Sequence, residues 1–270
     1  METSYLVSRL LDRERRGPAR DTQPGMGGAE KGVAEWVTER LGLEPDAAQR
    51  RVLNSRGRRG ILNCTRQWGK STVTAAKAVH QAYTQAESLT LVVSPSARQS
   101  GEFVRKAEEF AARLGVRVKG DGENEMSLEF PNGSRIVGLP GNEATIRGFS
   151  AVALLLVDEA SRVGDELYRA IRPMLAVSGG ALWLMSTPYG KRGFFYETWS
   201  KGGGWERVRV AADECPRIPA EFLAEERAAM GERYFRQEYL CEFVDAVSGV
   251  FDMDLVERAI TDEFQPLIFR

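Results

Sequence analysis

The tripeptide Gly69-Lys70-Ser71 stands between a short apolar run, Ile61-Leu62-Asn63-Cys64, and a stretch of good helix formers from Ser71 to Ala86. A strand that turns into a helix at such a point makes a phosphate site. Backbone N–H groups at the helix start point at the ligand, and the helix dipole favours an anion there. Gly69 lets the backbone approach phosphate closely, and Lys70 supplies a point charge to the terminal phosphates. Ser71 offers a hydroxyl to magnesium. Thr65, Arg66, Gln67, Trp68 and Thr72 complete the candidate nucleotide-binding loop. Alone the tripeptide is weak, since at average composition it arises by chance in roughly one chain in ten.

A second feature gives it meaning. Leu154-Leu155-Leu156-Val157 is a continuous apolar run that ends in Asp158-Glu159. Runs of that kind are central strands of parallel sheets, whose C-terminal edge faces the ligand crevice. Asp158 is the candidate magnesium ligand, through water. Glu159 is the candidate general base that polarises an attacking water. A third feature, Ser186-Thr187-Pro188, comes after another apolar run, Ala181 to Met185. Its hydroxyls could sense the γ-phosphate and pass its state onward as a coupling element. Solvated carboxylates and an ordinary Ser-Thr-Pro turn are the bland alternatives. The order and spacing of the three features favour a nucleoside triphosphate site.

The elements that must hold these residues alternate between strand and helix. Expected strands cover Ile61–Cys64, Leu89–Ser94, Ala153–Val157, Ala181–Met185 and Trp205–Ala211. Expected helices cover Ala29–Leu41, Ser71–Ala86, Ala97–Leu114 and Asp165–Val177, the last kinked or ended by Pro173. Met126–Phe130 and Ser134–Leu139 alternate about Pro131-Asn132-Gly133, a hairpin whose Asn-Gly would supply the positive φ angles of a tight turn. Pro219–Cys241 reads as two short helices broken near Gly231. The pattern implies an α/β fold: a mostly parallel sheet of the P-loop NTPase (RecA-like) class with helices on both faces, plus a small C-terminal lid. The expected division is a helix and flexible linker over 1–28 and a core over 29–204. Residues 205–270 would hold the last strand, the lid and a linker.

Bulk properties narrow the function. With 37 basic and 38 acidic side chains, total charge gives a nucleic-acid partner no support, so any such contact needs a local basic patch. Candidates are Arg98, Arg105 and Lys106, or Lys191 and Arg192, although solvated helix faces are the favoured explanation of these. Three scattered cysteines without a CxxC pair argue against a disulfide framework and fit a reducing cytoplasm. The single histidine, His80, rules out a multi-histidine metal site. No apolar run is long enough to span a bilayer, so no membrane partner is expected.

In its ordered set of motifs the chain resembles the large terminase subunits, the DNA-packaging motors of tailed bacteriophages. Thr65-Arg66-Gln67-Trp68-Gly69-Lys70-Ser71 is similar to that family's variant phosphate loop, which lacks the first glycine (here Cys64) and carries an early arginine. Leu156-Val157-Asp158-Glu159-Ala160 resembles its magnesium strand, and Ser186-Thr187-Pro188 its coupling motif. Pro45 to Leu53 resembles its adenine-binding stretch. The resemblance makes Gln49 the adenine reader, with a surface-helix glutamine as the alternative. Ile146-Arg147-Gly148 resembles an Arg-Gly pair whose arginine reaches a neighbouring subunit's nucleotide. Arg147 is thereby a candidate arginine finger, and Arg66 one acting within its own subunit. Arg236 to Phe243 followed by Gly249-Val250-Phe251 resembles the closing stretch of the ATPase region.

The resemblance covers about residues 40–255. It implies a magnesium-dependent ATPase driving double-stranded DNA into a procapsid. The implied partners are a portal protein, a small terminase subunit and copies of the chain in a ring, in the host cytoplasm. An isolated domain could then stay monomeric. A helicase-like translocase and a non-catalytic nucleotide switch are the alternatives. A complete large terminase continues into a nuclease domain, and the sequence stops at Arg270 before one would fit. No DNA cleavage by this polypeptide is therefore expected.

Overall fold

The computed structural model describes residues 32–124, 126–141 and 148–244. Expectations for the first 31 residues, for Ile146 and Arg147, and for the stretch beyond 244 lie outside the described residues. In chain order the helices and strands are α1 (Val33–Leu41), α2 (Ala47–Asn54), β1 (Arg59–Cys64), α3 (Lys70–Thr84), β2 (Leu89–Ser94), α4 (Ala97–Arg113), β3 (Ser127–Glu129), β4 (Arg135–Pro140), β5 (Leu154–Asp158), α5 (Asp165–Ile171), β6 (Ala181–Ser186), α6 (Gly193–Lys201), β7 (Glu206–Val210), α7 (Ala220–Met230) and α8 (Glu232–Glu238).

The described strands form one sheet in the order β3-β4-β2-β5-β6-β1-β7. All neighbours are parallel except β3, which pairs antiparallel with β4 at one edge. Alternate residues of each strand feed two separate cores, because successive side chains point to opposite faces. Leu154 and Leu156 of β5 join Leu62, Val92 and Trp183 under α1 to α4. Leu155 and Val157 join Ile61, Leu91 and Leu184 under α5 and α6. Burial on both faces explains why the central strands read as continuous apolar runs.

Most expected elements form within a residue or two of their expected ends. Pro173 ends α5, and a 3-10 turn continues over Arg172–Leu175. Helices α2 and α6 were not expected; each spans fewer than ten residues and lacks an extended apolar period. The hairpin forms, with a correction at its turn. Only Gly133 takes a positive φ, 79°, and Asn132 does not. Gly133 N donates to Phe130 O at 2.9 Å and Phe130 N to Ser134 O at 2.9 Å. This is a three-residue loop closed by a left-handed glycine, and Pro131, with its locked negative φ, suits its first position.

The order β5-β6-β1 brings the ends of three strands side by side. Asp158 lies in register with Met185, Asn63 with Ser186, and Cys64 with Val210. The phosphate loop, the paired acids and the Ser-Thr-Pro turn therefore leave the same edge of the sheet.

Candidate nucleotide site

The loop Thr65–Gly69 runs from β1 into α3, and its backbone is tightly specified. Gly69 caps α3 in the left-handed region at φ 97°, and Gln67 also has a positive φ, 62°. A Cβ on Gly69 would meet Gln49 Nε2 at 3.1 Å, so glycine is needed here both for conformation and for space. Lys70 is buried, and its Nζ donates to Cys64 O at 2.8 Å and Thr65 O at 3.0 Å. The ammonium is thus folded back over its own loop. Cys64 is fully buried as the last residue of β1. Burial pushes its thiol well above the usual range, and Lys70 only partly opposes this, so it is an inert packing group.

Ser71 Oγ donates to Asp158 Oδ2 at 3.1 Å across the gap between α3 and β5. Burial raises the Asp158 carboxyl above its ordinary value, and the neighbouring Glu159 charge adds to this. The Ser71 hydroxyl and Lys70 pull the other way. Two adjoining oxygen ligands suit magnesium, which takes one or two protein oxygens and completes its shell with phosphates and water. Among the described residues no cluster of three or more histidine, cysteine or acidic groups forms an all-protein metal cage. Glu159 comes next at φ 49°, a left-handed conformation uncommon for a residue with a side chain. Its amide donates to Asp158 Oδ1 at 3.0 Å, and Arg162 Nε lies 3.8 Å from Glu159 Oε2.

A cavity of about 540 Å³ opens over the loop, lined by residues 66–73 together with Gln49, Lys106, Glu159 and Arg217. Val37, Leu43, Pro45, Leu53 and Ala76 make its apolar wall. Such a mixed cleft suits a base at one end and phosphates at the other.

Sequence reasoning missed three residues. Glu238, at the end of α8, reaches back to the loop. Its Oε2 lies 2.6 Å from Arg66 Nε and accepts from Thr187 Oγ1 at 3.4 Å, while Oε1 accepts from Arg162 Nη2 at 3.5 Å. Thr65 Oγ1 also donates to its backbone carbonyl at 3.2 Å. Arg66 is therefore held toward α8, and the coupling residue Thr187 shares its partner. Arg162, three residues after Glu159, was not singled out. Arg217 carries no motif at all. Ser186 Oγ lies 2.7 Å from Ser161 Oγ, which joins the β6 end to the turn after Glu159; Pro188 is buried beside them.

Of the candidate DNA contacts, Lys106 lines the cavity, and Arg105 pairs with Glu102 on its own helix. Arg98, Lys191 and Arg192 are exposed, with the Arg192 guanidinium 5.2 Å from the Tyr189 ring centroid. The first three candidates share α4, and the other two stand just before α6. Gln49 lines the cavity, but both ends of its amide are engaged. Oε1 accepts from Asp46 N at 3.1 Å, and Nε2 donates to Trp68 O at 2.8 Å.

A family model described as terminase large subunit, T4likevirus-type, N-terminal, matches residues 61–258. The terminase large subunit of Thermus virus P23-45 is 26% identical over 84% of this chain and 56% of its own length. The chain thus spans about half the length of that relative. In structure it is similar to the large terminase ATPase domain of Thermus phage P74-26, with a TM-score of 0.71 and 22% identity. That match covers 80% of this chain and 100% of the P74-26 domain. It is also similar to the large terminase of a thermophilic bacteriophage in complex with ADP, with a TM-score of 0.63 and 16% identity. Here 77% of this chain and 56% of the other are covered.

Proposed function

The chain belongs to the T4likevirus-type terminase large-subunit family, in its N-terminal region, and on that premise we propose that it is the ATP-hydrolysing part of a DNA-packaging motor. The observation that carries this reading is the contact of Ser71 with Asp158, with the buried Lys70 and the carboxylate of Glu159 on the same cavity. The terminase of the thermophilic bacteriophage was solved with ADP and with ATP-gamma-S, which supports an adenine nucleotide as ligand.

In this mechanism Lys70 exchanges its two carbonyl partners for phosphate oxygens. Ser71 and Asp158 hold magnesium, which neutralises charge on the phosphates when bound. Glu159 takes a proton from the attacking water at its carboxylate, with Arg162 close enough to set the orientation of that group. Arg66 leaves Glu238 to meet charge developing on the transferred phosphoryl group. Release of Glu238 would also free its bonds to Thr187 and Arg162, passing the state of the site to α8. Arg147 is proposed to serve a neighbouring subunit.

The wider reading comes from the family: double-stranded DNA as the cargo, with a portal, a small subunit and a ring of copies in the host cytoplasm. Residues 205–270 would act as the last strand plus a lid on the core over 29–204. The reading is tested by phosphate release with and without double-stranded DNA, for wild type and Glu159→Ala. The variant is expected to bind ATP at least as tightly and to lose turnover by about a hundredfold or more. Equal turnover in the two proteins would remove Glu159 from the mechanism. Nucleotide binding without turnover in wild type would favour a switch.

A further inference from the structure

The carbonyl of Trp68, one residue before the loop glycine, receives two side chains from distant parts of the chain. Gln49 Nε2 donates to it at 2.8 Å from α2, and Arg217 Nη2 donates at 2.7 Å from the segment between β7 and α7. The same Arg217 nitrogen lies 3.0 Å from Asp46 Oδ2. Asp46 is in turn bound to Gln49 at both ends. Gln49 N donates to Asp46 Oδ1 at 2.8 Å, and Asp46 N donates to Gln49 Oε1 at 3.1 Å, closing a capping box at the start of α2.

This arrangement leaves the Gln49 amide one unused donor hydrogen and one spare lone pair. An amide that reads adenine must offer a donor and an acceptor together at the base edge. Here its acceptor is turned into the capping box and its donor onto the loop. Gly69, lacking a Cβ, is what lets the amide reach the Trp68 carbonyl at all. Arg217 has the reach and the planar fork to bridge a carboxylate and a carbonyl at once.

We propose that Gln49 and Arg217 form a two-sided clamp on the Trp68 carbonyl that positions the phosphate loop and takes no part in choosing the base. Both are positioning residues for the nucleotide site, and the inference of their effect on nucleotide rests on the ATPase reading above. The clamp also ties the strand-to-lid connection directly to the loop. Loss of either side chain weakens every purine nucleoside triphosphate by the same factor, because the damage is to the phosphate cradle that they share. Base preference is left to the shape of the apolar wall made by Leu43, Pro45 and Leu53.

The test uses the full chain with Gln49→Ala, Arg217→Ala and Arg217→Lys. In nucleotide-free protein, both alanine variants are expected to speed amide hydrogen exchange across residues 66–71 by about tenfold, with exchange in β2 unchanged. Unchanged exchange in the loop overturns the clamp. In separate titrations of ATP and GTP, each alanine variant is expected to bind both about tenfold more weakly, with the ratio of the two affinities preserved. Selective loss of ATP means that the amide reads the base, and it overturns the proposal. Arg217→Lys keeps the charge opposite Asp46 without the fork, so it is expected to recover part of the affinity. A wild-type chain that binds neither nucleotide, while loop exchange still rises in the variants, sinks the ATPase reading and leaves the clamp standing.

Discussion

Asp158 carries a conflict that only a bound cation resolves. Its carboxylate is buried at the end of β5, beside a second acid, with a serine hydroxyl and Lys70 in partial compensation. Burying a charge without full pairing costs stability, and functional sites often retain that cost. Asp158→Asn keeps the shape and removes the charge. It is expected to raise the melting temperature of the nucleotide-free protein by about 2–4 °C while abolishing magnesium-dependent turnover. Calorimetry without nucleotide checks this, and a fall in melting temperature would mean that Lys70 already compensates the charge. The type and place of Lys70, Ser71, Asp158 and Glu159 were legible in the sequence, because each stands directly after the end of an apolar strand or in the turn beyond it. Glu238 and Arg217 were not legible. Each acts on the loop from a remote part of the chain, and neither stands in a local pattern that marks it.

Between the elements, Lys77 is the staple that joins α3 to α2. Its Nζ donates to Val52 O and Leu53 O at 3.1 Å each and to Ser55 O at 3.0 Å, and it sits 5.2 Å from the Trp183 ring centroid. These carbonyls lie at the C-terminal end of α2, where a cation is favoured. Lys77→Met removes that cation from under the helix end and is expected to cost about 2 kcal/mol in urea unfolding at neutral pH. Burial pushes Lys77 down to about 8, with the Glu206 charge opposing, against an ordinary value of 10.5. The folded chain therefore gives up this proton before the unfolded chain does. Stability linked to this group rises with pH between about 8 and 10.5 and is flat below that window. The difference in unfolding free energy between wild type and Lys77→Met should widen across that window; a constant difference would show that the ammonium is not perturbed. At this scale the longer helices and central strands were legible from their periods. Helices α2 and α6 were missed, since a short helix holding few apolar residues gives too weak a period to register.

For the molecule as a whole, sheet order is what assembles the site. Asp158 and Ser71 are 87 positions apart, and they touch because β6 is inserted between β5 and β1 and all three run parallel. The proposed ring belongs to this scale as well. If Arg147 serves a neighbour, mixing Arg147→Ala subunits with Lys70→Ala subunits at assembly concentrations should give rates that depend on the mixing ratio in a non-additive way. Each Lys70→Ala copy could still lend its arginine to a neighbour whose own site is intact. Strictly additive rates would place the action of Arg147 within its own subunit. The sequence by itself determined the class of fold, the phosphate loop and the paired acids, because these depend on local period and on the residue types that end a buried strand. Only the tertiary structure decided that the lysine is folded back on its loop, that Arg66 is held by Glu238, and that both ends of the Gln49 amide are already occupied. Those are choices among competing partners, and which partner wins depends on distances that arise only when remote segments pack together.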